Sequence, residues 1–296
     1  MNLQELRYFA AVVELRHFGR AAESCNVSQP TLSSQIRKLE EELGVTLLER
    51  TNKRVDVTPV GRQILEHAQR ALAEAGQIEA VARAARDPLV GPLRLGVIPT
   101  LAPYLLPLIL APLKKAYPGL EIELWEDQTR LLAEGLRSHR LDAALVASTL
   151  GTHEVGEVNL FAEPLLAVLP AGHRLTKRKG AVDEEDLASD LLVMADGHCL
   201  ANQSLAACGA KAGVQPAMQA ATLQTLVNLV AAGYGTTLIP ALAEPGVTGR
   251  GVELRPVRQG STRVIRLVSR KGFPRPQALK AIEKVIRKAV PAAWLQ

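Results

Sequence analysis

The feature that most constrains the fold of this chain is a change of pattern at residues 87–92. Before this point, apolar residues recur at helical spacing, and after it short apolar runs alternate with helical segments. Asp87-Pro88 and Gly91-Pro92 mark the break, because proline and glycine end helices. At 296 residues the chain is long enough for two or three packed domains. We therefore predict a helical N-terminal part and an α/β C-terminal part.

Three helices and a β-hairpin are predicted in the first 58 residues. The first helix ends near Arg16 and the second begins at Phe18. The third runs to about Leu43, with Ser28 as its N-cap and Pro30 in its first turn. Its apolar side chains fall on one face, so the opposite face is left for solvent or for a partner.

The outward face of the third helix is suited to a DNA major groove. Serine and threonine allow close approach, glutamine can pair with base edges, and arginine or lysine can contact guanine or phosphate. A basic turn follows between two predicted strands, and such a wing contacts backbone phosphates. The candidate DNA-binding residues are Ser28, Gln29, Pro30, Thr31, Ser33, Ser34, Arg37 and Lys38 in the helix, with Lys53 and Arg54 in the wing. For the helices alone, a small domain with a merely solvated polar face is the alternative.

Charge does not by itself identify a DNA-binding protein here. The net charge is +5, but the excess lies between Arg258 and Lys288, where ten basic residues accompany one acid, Glu283. A solvated basic face and a binding role both fit that stretch.

The N-terminal sequence resembles the signature of LysR-type transcriptional regulators. The segment FGRAAESCNVSQPTLSSQIRKLEEELGVTLLERTNKRVDVTPVGRQIL carries the likeness, with LLER, Thr58 and Gly61 closing the wing. The resemblance implies an α/β protein with a winged helix-turn-helix at 1–58, a dimerising linker helix at 59–90 and an effector domain at 91–296. That domain would be two-lobed, like periplasmic binding proteins, with lobe I at about 91–161 and 268–296 and lobe II at about 162–267.

The linker carries a heptad seam made mostly of alanine. Its members are Ile64, Ala68, Ala71, Ala75, Ile78, Ala82 and Ala85. Small residues permit close helix approach but bury little area, so a helix pair of this kind needs other contacts. A long helix packed on its own domain is the alternative, and the LysR resemblance favours dimerisation.

The C-terminal part predicts a parallel sheet covered by helices, because strands and helices alternate from Pro92 onward. In such sheets, ligands bind beyond the carboxyl ends of the strands. Thr100 follows the first strand and Thr129 follows the second, so both are candidates for a ligand cleft. Either residue alone could instead be a helix cap.

Two cysteines of this domain predict a redox switch. Cys199 follows the strand at Leu191 to Met194, and a helix N-terminus, together with His198 if protonated, would favour its reactive thiolate. A peroxide would oxidise Cys199 to sulfenic acid, which condenses with a second thiol, and Cys208 is the second thiol of this domain. Nine residues of helix separate the two by about 13 Å, whereas a disulfide needs roughly 4.4 to 6.8 Å between Cα atoms. The helix must therefore unravel, unless both cysteines are simply small buried residues.

A second resemblance favours the switch. The segment DGHCLANQSLAAC resembles the peroxide-responsive cysteine segment of one group of LysR-type activators, and the likeness extends over the whole chain. It implies that Cys199 is peroxidatic and Cys208 resolving, that Thr100, Thr129 and His198 line the peroxide pocket, and that Arg266 helps to stabilise the thiolate. Asn202 departs from the pattern of that group, because a member of the group has an acidic residue at this position. Cys25 occupies an apolar slot of the helix-turn-helix and is predicted to be structural.

These observations predict a transcription regulator rather than an enzyme. The expected partners are double-stranded DNA with paired half-sites, RNA polymerase, hydrogen peroxide, further copies forming a dimer of dimers, and a glutaredoxin or thioredoxin reductant. No metal or cofactor is expected, and the absence of a signal peptide or membrane span predicts the cytoplasm. A LysR-type regulator that senses a small organic anion is the main alternative. A thiol peroxidase or disulfide oxidoreductase is disfavoured because the chain has no Cys-x-x-Cys.

Overall fold

The computed structural model describes residues 1–50, 55–84, 87–151, 153–177, 180–209 and 218–295. The chain divides into two compact units. The first comprises Met1–Ala82 with Ser138–Arg140, and the second comprises Arg83–Arg137 with Leu141–Gln296. The predicted linker helix thus falls mostly in the N-terminal unit.

The first unit is a winged helix-turn-helix followed by a long helix. Its elements are α1 (Leu3–Leu15), α2 (Phe18–Ser24), α3 (Gln29–Leu43), β1 (Leu48–Arg50), β2 (Val55–Val57) and α4 (Pro59–Ala84). Strands β1 and β2 pair antiparallel. Phe9, Leu32, Ile36 and Leu39 are wholly buried at the centre of the core. The three predicted helices and the wing strands are therefore confirmed.

Local hydrogen bonds set where the short helices begin. Asn2 and Glu5 form a capping box at the start of α1. The His17 side chain caps α2, and Ser28 Oγ accepts from the Thr31 amide at 3.3 Å to cap α3, as predicted. Helix α3 then ends at Gly44, whose φ of 66° suits glycine.

Thr58 and Gly61 join the wing to helix α4. Thr58 Oγ1 donates to Thr46 O at 2.8 Å and accepts from Gly61 N at 2.9 Å. A Cβ on Gly61 would lie 2.4 Å from Leu47 O, so any side chain there would force the backbone apart. In the seam of α4, Ala68 is buried, Ile78 is 74% exposed, and Ala85 lies outside the described residues.

The second unit has the predicted alternation of strands and helices. Its elements are β3 (Gly91–Val97), α5 (Ala102–Ala116), β4 (Leu120–Glu126), α6 (Thr129–Arg137), β5 (Ala143–Val146), β6 (Val155–Pro170), β7 (Val193–Met194), α7 (Cys199–Ala207), β8 (Gln219–Ala220), α8 (Leu223–Ala231), β9 (Thr237–Pro240), β10 (Val252–Pro256), β11 (Thr262–Arg270) and α9 (Pro276–Ala289). Among the described residues, seven strands form one sheet in the order β10-β6-β11-β5-β3-β4, with β9 also on β6.

The large sheet is mixed, which corrects the prediction of a parallel sheet. Strand β3 pairs parallel with β4 and β5, as helix crossovers require. Strand β11, however, is antiparallel to both β5 and β6, and β9 and β10 are antiparallel to β6. An apolar run in a sequence does not carry the direction of its strand, so this reversal was not predicted.

Two hydrophobic cores define two lobes that share strand β6. Leu160 and Phe161 of this strand belong to the first core, and Leu165 begins the second. Ile265 and Leu267 of β11 also lie in the first core, although the predicted range of lobe II, 162–267, includes them. The chain therefore returns to lobe I a few residues earlier than predicted.

Candidate functional site

Cys199 is the first residue of helix α7, five residues after β7 ends. His198 is the N-cap of α7 and makes no side-chain capping bond. The half-buried sulfur of Cys199 therefore lies at the positive end of the helix dipole, as predicted from the sequence.

Two hydroxyl groups of lobe I contact the sulfur. Cys199 Sγ lies 3.1 Å from Ser148 Oγ and 3.4 Å from Thr129 Oγ1. Thr129 begins α6 just after β4, and Ser148 follows β5, so both hydroxyls lie beyond the carboxyl ends of parallel strands. Thr129 was predicted and Ser148 was not, although the same strand-end rule applies to it.

A small cavity opens beside the sulfur. It leaves about 10 Å³ for the centre of a water-sized molecule, which is about the space that one water needs. The cavity is lined by Ile98, Pro99, Thr100, Gln128, Thr129, Gly197, His198 and Cys199. The predicted residues Thr100, Thr129, His198 and Cys199 thus line one cavity, and Gln128 lines it without having been predicted.

Gly197 lets the chain pass close to Gln128 at the wall of this cavity. Its φ is 92°, and a Cβ there would lie 2.3 Å from Gln128 Oε1. A larger residue at 197 would therefore be strained and would displace Gln128.

Burial favours a neutral His198. Desolvation lowers the pKa of its imidazole below the ordinary value, because the charged form loses hydration. The sequence prediction that a protonated His198 assists the thiolate is therefore disfavoured near neutral pH. The neutral ring still lines the cavity.

Thr100 is held by a buried ion pair that sequence reasoning missed. Arg263 Nη1 donates to Thr100 Oγ1 at 3.0 Å, and Arg263 Nη2 donates to Thr100 O at 3.1 Å. Glu163 Oε2 accepts from Arg263 Nε at 2.8 Å, and both charged side chains are 0% exposed. Helix α5 has Leu101 as its N-cap, without a side-chain bond, so Thr100 does not serve as the helix cap that was its alternative.

Arg266 lies on the neighbouring part of β11. Its Nη1 donates to Val264 O at 3.1 Å, and its Nε lies 3.8 Å from Glu157 Oε2. These described contacts do not include the Cys199 sulfur, and the stabilisation of the thiolate by Arg266 stays a prediction.

Cys208 lies at the opposite end of α7 in a different environment. Its side chain is 1% exposed in the core of lobe II. Burial, with a smaller contribution from the charge of Glu184, raises the pKa of the Cys208 thiol to about 12. The intervening helix is formed as predicted, so the two cysteines are held about 13 Å apart along its axis.

Helix α7 also anchors lobe II to lobe I. Gln203 Nε2 donates to Ala147 O at 3.0 Å, one residue before the serine that contacts Cys199. Leu200, Ala201 and Ser204 bury the inner face of the helix. The contacts of Cys199 and Gln203 therefore both depend on this helix being wound.

The predicted DNA-binding face is exposed over most of its length. Ser28, Gln29, Pro30, Thr31, Ser34, Arg37 and Lys38 are exposed, and Ser33 is half-buried. Lys53 and Arg54 lie outside the described residues.

Lys38 differs from the other candidates because it is already paired. Its Nζ lies 3.1 Å from Glu5 Oε1 and 3.7 Å from Glu42 Oε1. The hydrogen bond and charge of Glu5 raise the pKa of the Lys38 ammonium. A phosphate contact by Lys38 would have to compete with this pair.

Cys25 is half-buried and packs against the core of the first unit, as expected for a structural residue. A search of the described residues finds no helix with the length and hydropathy of a membrane span.

The fold and the site together define a winged helix-turn-helix regulator with a two-lobed effector domain. Residues 3–62 match the bacterial regulatory helix-turn-helix proteins of the lysR family, and residues 86–291 match the LysR substrate binding domain. The chain belongs to the LysR family.

Particular relatives are similar over nearly the whole chain. It is 43% identical over 291 residues to the DNA-binding transcriptional dual regulator OxyR of Escherichia coli K12, which covers 97% of this chain and 95% of the relative. A full-length cysteine-to-aspartate variant of Pseudomonas aeruginosa OxyR is 36% identical with a TM-score of 0.78, covering 97% and 95% of the two chains. An H2O2-bound cysteine-to-serine variant of Corynebacterium glutamicum OxyR is 34% identical with a TM-score of 0.67, covering 97% and 92%.

Proposed function

We propose that this chain is a redox-sensing LysR-type transcription regulator that detects hydrogen peroxide through Cys199 and Cys208. The observation that carries the proposal is the geometry at Cys199, where two hydroxyls contact the sulfur beside a cavity with room for a molecule near the size of water. The space beside Cys199, about 10 Å³ for the centre of a water-sized molecule, fits a ligand near the size of water better than it fits an organic anion. The site therefore favours peroxide over the metabolite-sensing alternative.

The first step is attack by the Cys199 thiolate on one peroxide oxygen. A sulfur–oxygen bond forms, the oxygen–oxygen bond breaks, and the leaving hydroxide takes a proton from solvent to become water. The sulfur is oxidised to sulfenic acid and the peroxide is reduced. The hydroxyls of Thr129 and Ser148 can each donate to the sulfur, which orients it toward the cavity.

The second step joins Cys199 to Cys208. The Cys208 thiol attacks the sulfenic sulfur, a disulfide forms, and water leaves with the thiol proton. Because a wound α7 holds the cysteines about 13 Å apart, the helix must unravel before the bond closes. Unravelling also removes the bond from Gln203 to Ala147, so lobe I loses its contacts with this helix.

The output of the switch is a change in DNA binding and in contact with RNA polymerase. Two recognition helices of a dimer would bind paired half-sites, and a dimer of dimers would bind two such pairs. The disulfide form would hold these recognition helices in a different arrangement from the reduced form and would activate peroxide-defence genes. Pocket roles are proposed for Thr100, Thr129, His198 and Arg266.

Each oxidation is a single switching event, so we place the chain among regulators rather than enzymes. A glutaredoxin or thioredoxin system would reset the disulfide. The switch needs thiols that are reduced at rest, and this condition is met in the cytoplasm.

Mass spectrometry tests the proposal directly. Reduced protein is mixed with stoichiometric hydrogen peroxide, the remaining thiols are alkylated, and tryptic peptides are analysed. We expect a disulfide between Cys199 and Cys208 within seconds, with Cys25 alkylated. If both cysteines of the effector domain are alkylated and unoxidised, the result contradicts the sensor function but not the DNA-binding function. It would favour a metabolite as the signal.

DNA binding is tested on the exposed face of α3. Substituting Gln29 or Thr31 with alanine should weaken operator binding by about 1 to 3 kcal/mol if the side chain makes a good base contact. Thiol oxidation should be unchanged. Unaltered operator affinity, measured by fluorescence anisotropy, would mean that another face reads the DNA.

A further inference from the structure

An apolar groove lies between helices α5 and α9 of lobe I. It leaves about 340 Å³ for the centres of water-sized molecules. One wall is a row at four-residue spacing on α5, formed by Leu108, Pro112 and Ala116, and Val285 and Ala289 of α9 lie opposite. Leu108 is 43% exposed, and Pro112 and Ala116 are exposed as well. The groove is therefore an apolar surface that is open to solvent.

A row of lysines borders this groove along α9. Lys280, Lys284 and Lys288 are exposed and repeat at four-residue spacing, so they lie on one side of the helix about 6 Å apart. Lys284 and Lys288 line the groove, and all three lysines line a second hollow beside it. The neighbouring acid Glu283 accepts from Arg287 at 2.9 Å. Among the described residues, no carboxylate pairs with any of the three lysines, so their charges are uncompensated.

We propose that this groove binds an amphipathic α-helix of a partner protein that carries acidic side chains beside an apolar row. A helix places residues four positions apart at about 6 Å, so glutamates in one row repeat at the same interval as the lysines. The apolar row of the partner helix packs on Leu108, Pro112 and Ala116. In binding of this kind, the apolar face of the helix fills the groove, and the complementary charges fix its orientation.

The apolar wall distinguishes this surface from a DNA contact. Phosphates are bound by charged and polar groups, and a DNA backbone on the lysines would leave the row of Leu108, Pro112 and Ala116 in water. Length distinguishes the surface from a site for a small anion, because the lysines extend over about 12 Å of helix and border two hollows. The groove and the cavity beside Cys199 have different lining residues. The inference is therefore independent of the sensor function.

The test uses the reduced full-length chain and two synthetic helical peptides. Both peptides carry fluorescein and one row of leucines, and the neighbouring row is glutamate in one peptide and lysine in the other. Fluorescence anisotropy measures the affinity of each peptide for the chain. We expect the glutamate peptide to bind, with an affinity that falls as salt is added, and the lysine peptide to remain free.

Charge reversal in the groove should exchange this preference. The double variant Lys284→Glu with Lys288→Glu should weaken binding of the glutamate peptide by about tenfold, because two attractions become repulsions. It should also bind the lysine peptide, which a misfolded variant would not do selectively. The control, Lys177→Glu with Lys271→Glu, changes the net charge equally at exposed lysines outside the groove and should leave both affinities unchanged. Ala116→Trp should block the apolar row and weaken binding of the glutamate peptide while the lysines remain.

Three results would overturn the inference. The first is a glutamate peptide that does not bind, and the second is an equal loss of affinity in the groove variant and the control variant. The third comes from duplex DNA of random sequence: a larger loss of duplex binding in the groove variant than in the control would assign the lysines to phosphate. Peroxide oxidation of Cys199 is measured separately, so the sensor function stands or falls on its own result.

Discussion

The two ends of helix α7 place chemically identical thiols in opposite environments. Cys199 is half-buried at the helix N-terminus, contacted by hydroxyls and open to a small cavity. Cys208 is buried among apolar side chains, and its thiol is kept protonated by a pKa of about 12. Cys199 can therefore respond to an oxidant at once, whereas Cys208 reacts after the protein has changed shape.

The largest effect is expected from removing each sulfur in turn. Cys199→Ser should abolish peroxide oxidation in the effector domain, because the buried Cys208 thiol does not attack peroxide. Cys208→Ser should stop the reaction at the sulfenic acid, which dimedone traps. Cys25→Ser is the matched control and should behave as the unsubstituted chain. Rapid oxidation of Cys208 in the Cys199→Ser variant would erase the distinction between the two environments.

Alkylation at pH 9 should separate the two thiols in the folded reduced chain. With a pKa of about 12, Cys208 has about one thiolate per thousand molecules at that pH, and burial restricts access further. Iodoacetamide should therefore label Cys199 and spare Cys208, as read by peptide mass spectrometry. Equal labelling would show that Cys208 is not shielded.

The same shift predicts an alkaline loss of stability. The pKa of a cysteine thiol in an unfolded chain is about 8.5. The pKa of Cys208 in the folded chain is higher, so keeping this thiol protonated stabilises the folded state. This contribution is complete below about pH 8.5 and is lost as the pH rises toward 12. Urea unfolding at pH 8 and pH 11 should show a smaller alkaline loss in Cys208→Ala than in the unsubstituted chain. An equal loss would assign the alkaline effect to other groups.

Removing one hydroxyl from the Cys199 sulfur should have a moderate effect. A hydrogen bond to a charged group contributes about 1.5 kcal/mol, so Ser148→Ala should slow peroxide oxidation by about tenfold. Thr149→Ala is the neighbouring control, because that hydroxyl donates to Glu157 rather than to sulfur. Similar rates for both variants in quenched-flow measurements would exclude a role for Ser148.

The smallest effect concerns the helix between the cysteines. Asn202 is exposed near the middle of α7, so helix propensity should govern substitutions there. In the interior of a helix, glycine is less favourable than alanine by about 1 kcal/mol. The Asn202→Gly variant should therefore unravel more easily and form the disulfide about fivefold faster than the Asn202→Ala variant. Sulfenic acid formation, followed with dimedone, should be the same in both. Identical disulfide rates would mean that unravelling does not limit the second step.

Local signals in the sequence predicted much of this arrangement. Ser28 and Pro30 marked the start of α3, and the strand-end rule and the resemblance together gave Thr100, Thr129 and His198. Ser148 obeys the same rule but follows a short apolar strand without a motif. Arg263 and Glu163 lie a hundred positions apart in separate strands, and no local pattern reveals such a pair. The ion pair of Lys38 with Glu5 was missed for the same reason, since it joins two helices.

The contacts of Cys199 with Thr129 and Ser148 join the two lobes through a single sulfur atom. Any group bonded to that sulfur replaces the free thiol that both hydroxyls contact, whatever its chemical origin. These two contacts therefore respond to modification of the sulfur and do not identify the oxidant. Selection among oxidants has to come earlier, and it depends on which molecules fit the cavity beside Cys199. The size of this cavity and the loss of the two sulfur contacts therefore serve two separate steps of sensing.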